Sequence, residues 1–94
     1  MNTMPGATTA PKTLRARVTV MPKPGVLDPQ GKAIAHALGN LGYSGVEEVR
    51  AGKVIELDLH ETDPAKAKAA AEDMARKLLA NTVIESFRVE IAGS

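Results

Sequence analysis

An Asp-Pro pair occurs twice in this chain, at Asp28-Pro29 and at Asp63-Pro64. An Asp side chain accepts hydrogen bonds from the free amides of a first helical turn, and Pro at the first helical position lacks the N–H that would otherwise go unpaired. Each pair therefore reads as the start of a helix. Upstream of the first, Leu14 to Met21 alternates strictly, with Leu14, Ala16, Val18 and Val20 on one side and Arg15, Arg17, Thr19 and Met21 on the other. That is the pattern of a half-buried strand. Pro22, Pro24 and Gly25 then end it in a loop. The chain is confined to strands feeding capped helices, and what remains is the number of strands.

Beyond Pro29, Ile34, Leu38 and Leu41 recur at helical spacing, and Gly42 stands where a left-handed C-terminal cap is wanted, so the first helix ends near Leu41. Val46 to Val49 and Val54 to Leu59 flank the polar segment Arg50-Ala51-Gly52-Lys53 and read as a hairpin, its first strand bulged at Glu47-Glu48. The second helix is Ala-rich, runs to about Ala80 and carries Ala67, Ala71, Met74 and Leu78 as its apolar stripe. A last strand, Val83 to Ile91, turns Phe87, Val89 and Ile91 inward. The order strand, helix, strand, strand, helix, strand predicts an α+β, ferredoxin-like sandwich: a four-stranded antiparallel sheet in the order 4-1-3-2 with both helices on one face. The open face would hold Arg15 and Arg17 between Glu56 and Asp58 on one side and Arg88 and Glu90 on the other, set for cross-strand ion pairs.

Residues 1–13 contain no apolar run at any period and are expected to be a flexible tail, leaving 14–92 as a single domain. A chain of 94 residues must spend nearly all its apolar side chains on the core, which leaves little for an enclosed active site. Its 12 Lys and Arg against 11 Asp and Glu argue against a nucleic-acid or membrane partner held by bulk charge. With no Cys it has no disulfide framework or thiolate metal site. No run approaches the ~18 apolar residues of a membrane span, and a soluble cytoplasmic protein is expected.

Side-chain chemistry narrows the function further. Stacking on RNA needs aromatic residues on the open sheet face, whereas Tyr43 falls in a loop and Phe87 on the inward register. His36 and His60 stand apart from each other and from any partner, and Ser44, Ser86 and Ser94 have no neighbouring base. The segment KPGVLDPQGK lacks the spacing and the Lys-Ser/Thr ending of a phosphate loop. No catalytic, cofactor-binding or metal-binding residues are expected in this chain.

The run from Val20 to Gly31, VMPKPGVLDPQG, followed by Leu41-Gly42-Tyr43, Val49-Arg50-Ala51-Gly52-Lys53 and Ile55-Glu56-Leu57, closely resembles the PurS family, the small subunit of phosphoribosylformylglycinamidine synthase. The resemblance spans Arg15 to Ile91 and implies a noncatalytic subunit of a glutamine-dependent carbon-nitrogen ligase in purine biosynthesis. It would bridge a glutaminase subunit (PurQ) and a synthetase subunit (PurL), with ATP and magnesium used by the synthetase, and would form a homodimer or higher oligomer. The proline-stiffened loop, with the polar turn of the hairpin, is where partner contacts are expected: Lys23, Pro24, Gly25, Gln30, Arg50 and Lys53. The alternative from another class is a small-ligand-sensing regulatory domain of the amino-acid-binding kind, which shares this order of elements.

Overall fold

The computed structural model describes residues 13–93. The tail expected at residues 1–13 lies outside the described residues except for Thr13. Five elements follow: β1 (Leu14–Pro22), α1 (Pro29–Asn40), β2 (Lys53–Leu59), α2 (Pro64–Met74), continued by a π-helical turn over Ala75–Leu79, and β3 (Glu85–Gly93). The architecture is α+β, with two helices and one antiparallel sheet in the order β2-β1-β3.

Both Asp-Pro junctions form as the sequence requires. Asp28 Oδ1 accepts from the Gly31 N–H at 2.9 Å, and Asp63 Oδ1 accepts from the Ala65 N–H at 3.0 Å. At its far end α1 closes with the Tyr43 N–H donating to the Leu38 carbonyl at 3.0 Å, across Gly42 at φ 99°.

β1 is central. Its alternation sends Ala16, Val18 and Val20 into the core, each 1% exposed or less. Burying a Val side chain fully is worth about 1.5–3 kcal/mol, so this strand supplies a large share of the driving force. On the opposite face Arg15 reaches Asp58 and Arg17 reaches Glu56, each at 2.9 Å, across the β1-β2 register Arg15↔Asp58 and Arg17↔Glu56. The expected ion-paired face is present on that side. These pairs are solvent-exposed and set register more than they add stability.

Three expectations need correction. The sheet has three strands among the described residues, because 46–52 forms no ladder. The turn that would close the hairpin is used otherwise: the Ala51 N–H donates to Asp28 Oδ2 at 2.8 Å, and the Arg50 guanidinium donates to the Pro22 carbonyl. Second, the two helices do not share one face. α2 packs on β1 and β3, while no residue of α1 joins the core cluster or packs on it, and Ile34 and Leu41 stay 39% and 73% exposed. Third, the buried stripe of α2 is Ala67, Ala71 and Ala75, not Ala67, Ala71, Met74 and Leu78; Leu78 is 82% exposed. Three alanines let the helix approach the Val-lined strand closely. The π-helical turn, closed by the Ala80 N–H on the Ala75 carbonyl at 2.9 Å, then sets Leu79 and Ala80 against the core.

The alanine contact yields a paired test. Ala71→Leu should destabilise the protein by about 1–3 kcal/mol in urea unfolding through overpacking, whereas Leu at the adjacent exposed Ala70 should stay within about 0.5 kcal/mol. Equal effects at the two positions would place the helix-sheet contact elsewhere.

Candidate functional site

The proline-rich loop after β1, the root of α1 and the segment before β2 are drawn together by one carboxylate. Asp28 caps α1 with Oδ1 and holds the Ala51 amide with Oδ2. Gly31 is buried in this clasp, where a Cβ would collide with the Val49 carbonyl and lie 2.6 Å from Asp28 Oδ2, so no other residue fits there. Gly52 is packed similarly, its missing Cβ making room for Met21 Sδ and the Val20 carbonyl. The amide bonds from Gly31 and then Ala51, with the nearby Arg50 charge, hold the Asp28 carboxyl below its ordinary value.

A second tie binds the loop to the turn before β3. The Lys23 N–H donates to the Ile84 carbonyl at 2.9 Å, and Lys23 Nζ donates to the Thr82 carbonyl at 2.7 Å. That turn is itself braced, the Asn81 N–H donating to Glu85 Oε1 at 2.7 Å and the Glu85 N–H to the Asn81 carbonyl at 2.7 Å.

Between these ties lies an open cleft of about 670 Å³. Lys23, Pro24, Gly25 and Arg50, four of the six expected contact residues, line it. Gln30, on the first turn of α1, and Lys53, opposite Val20 at the start of β2, are exposed and lie off its walls. The sequence reading missed Lys32 and the acidic lip Glu47-Glu48, which also line it. The two glycines at 31 and 52 were the available signal, since each marks a close backbone approach that brings these segments together.

The cleft offers ammonium and guanidinium groups beside exposed carboxylates, with no nucleophile paired to a base. Among the described residues no group of three or more His, Asp and Glu could hold a metal ion, and no helix is long and apolar enough to cross a membrane.

Comparison with known proteins gives one answer. The family model described as PurS, phosphoribosylformylglycinamidine (FGAM) synthase, matches residues 15–93. The PurS subunit from Synechocystis sp. is 49% identical over 75 residues, covering 80% of this chain and 75% of the relative. The PurS subunit from Bacillus subtilis is 44% identical over 77 residues, covering 82% and 90%. Among solved structures, B. subtilis PurS superposes with a TM-score of 0.74 at 43% identity, covering 84% of this chain and 98% of that one. A chain in the structure of PurLQS from Thermotoga maritima superposes with a TM-score of 0.76 at 26% identity, covering 85% and 98%.

The clasp makes a stability prediction with a definite sign. Because the folded carboxyl of Asp28 is held low, its contribution is complete above the unfolded value and is lost as pH falls through the folded one. Asp28→Ala should lower the melting temperature at neutral pH by roughly 4–8 °C, the loss expected of a helix cap. The deficit relative to wild type should shrink as pH falls below the ordinary aspartate range and toward the lowered folded value of Asp28. A deficit constant down to pH 2 would show that the ionised carboxylate is not what holds the clasp.

Proposed function

This chain belongs to the PurS family of FGAM synthase subunits, and we propose that it acts as the small, noncatalytic subunit that joins the synthetase PurL to the glutaminase PurQ. The assembled enzyme would convert formylglycinamide ribonucleotide to formylglycinamidine ribonucleotide with glutamine and ATP, as a carbon-nitrogen ligase of purine biosynthesis in the cytoplasm. The observation that carries this is the superposition on a chain of the T. maritima PurLQS complex over nearly the whole of both chains.

The site supports the same division of labour. ATP and its magnesium belong to the synthetase, and this chain contributes a surface. Lys23, Pro24, Gly25 and Arg50 present that surface from a loop whose ties to Thr82, Ile84 and Pro22 remove much of the entropy cost of ordering it on binding. Gln30 and Lys53 lie outside the cleft and form its periphery. The chain also associates with itself, since Ile34, Leu41 and Tyr43 each expose a large apolar side chain that the single copy leaves uncovered.

Reconstitution tests the proposal. The pure chain should turn over neither glutamine nor ATP, and adding it to PurL and PurQ should be required for glutamine-dependent product formation. Lys23→Glu should weaken assembly roughly tenfold, about 1.4 kcal/mol, while the folded fraction is unchanged. Full glutamine-dependent activity of PurL with PurQ alone would overturn the bridging role. Unchanged assembly by Lys23→Glu would remove the cleft from the interface.

A further inference from the structure

The cleft holds charges of both signs that do not neutralise one another. Lys23, Lys32 and Arg50 line it together with Asp28, Glu47 and Glu48, so cationic and anionic groups are equal in number. Two of the six are already committed: both oxygens of Asp28 accept backbone amides, and Lys23 Nζ donates to the Thr82 carbonyl. Arg50 gives one N–H to the Pro22 carbonyl and keeps others of its fork. Lys32, Glu47 and Glu48 are exposed. Elsewhere among the described residues exposed opposite charges close on each other, Arg15 on Asp58, Arg17 on Glu56 and Lys77 on Asp73, whereas no ion pair joins Lys32 or Arg50 to Glu47 or Glu48.

The rest of the lining is largely apolar. Val26, Ala35 and Val49 come from the loop, from α1 and from the segment before β2, and each is half-buried. α1 contributes Gly31 and Ala35 to this wall, one helical turn apart, so the helix brings little side-chain bulk to it. The volume of about 670 Å³ lies within the range of small-molecule sites.

We propose that the cleft binds a small zwitterion, a free α-amino acid with an aliphatic side chain, its carboxylate on Lys32 and Arg50, its ammonium on Glu47 and Glu48, and its side chain against Val26, Ala35 and Val49. A simple anion would meet two uncommitted carboxylates, and a simple cation two uncommitted cationic groups. Only a ligand carrying both charges gives each of the four a charge-assisted partner. The site is the same cleft that is proposed to meet the partner subunits, but it does not rest on that role, because this chain alone supplies every group.

Titration of the isotope-labelled chain with L-leucine, followed through its amide NMR signals, tests the assignment. The shifts should saturate with a dissociation constant of about 1 mM, as suits a ligand of this size in an open cleft, and should map to residues 26–35 and 47–51. L-leucinamide lacks the carboxylate and N-acetyl-L-leucine lacks the ammonium, and each should bind about tenfold more weakly. Lys32→Gln should weaken L-leucine by about tenfold and leave L-leucinamide unchanged, while the double variant Glu47→Gln, Glu48→Gln should weaken L-leucine similarly and leave N-acetyl-L-leucine unchanged. Affinity for either analogue equal to that for L-leucine would overturn the zwitterion. Saturable binding of inorganic phosphate with no response to L-leucine would make the cleft an anion site, and L-leucine shifts confined to residues outside the cleft would remove it as the site. All of these are measured on the chain alone, so their failure leaves the reconstitution with PurL and PurQ as a separate result.

Discussion

The Asp28 carboxylate, with one oxygen on the Gly31 amide and the other on the Ala51 amide, governs the half of the molecule that does not belong to the sheet. The sheet and α2 are held by ordinary apolar burial around Val18, Val20 and the alanines 67, 71 and 75. The course of the β1-α1 loop is set by these two hydrogen bonds to a single ionised group together with the Lys23 tie to Thr82 and Ile84. They join the loop to the segment before β2, fix the direction of α1 and shape the cleft between them.

The same clasp accounts for two departures from the arrangement that strand and helix order would suggest. Committing the Ala51 amide to Asp28 takes a backbone donor that a hairpin turn would use. Rooting α1 against Val49 turns its apolar stripe outward. A small chain thereby leaves the apolar stripe of α1 outside its own core.

Much of this was legible in the sequence because it rests on local rules. The Asp-Pro junctions, the alternation of β1 and β3, the Gly42 stop and the Arg15 and Arg17 ion pairs follow from period and position alone. Four of the six expected contact residues also converge on one cleft, since Lys23, Pro24 and Gly25 share a loop and Arg50 is drawn to it. What was illegible depended on partners distant in sequence. Nothing in Val46 to Val49 announces that Ala51 will bond to Asp28, 23 residues away. Nor can helical spacing alone choose Ala75 over Met74 and Leu78, because the choice was made by close approach to a Val-lined strand and by a π-helical turn. The outward stripe of α1 looks in sequence like any core-facing stripe, since period alone does not say what a stripe will pack against.

On the proposed function, a rigid loop platform, separate from the sheet core, meets the rest of the synthase. Amide hydrogen exchange measured on this chain alone and within the complex with PurL and PurQ tests it directly. New protection should concentrate at residues 22–31 and 47–50, with the β1 amides of Val18 and Val20 unchanged. Protection confined to the open sheet face around Arg15, Arg17 and Glu90, with the platform exchanging as it does in the free chain, would contradict it.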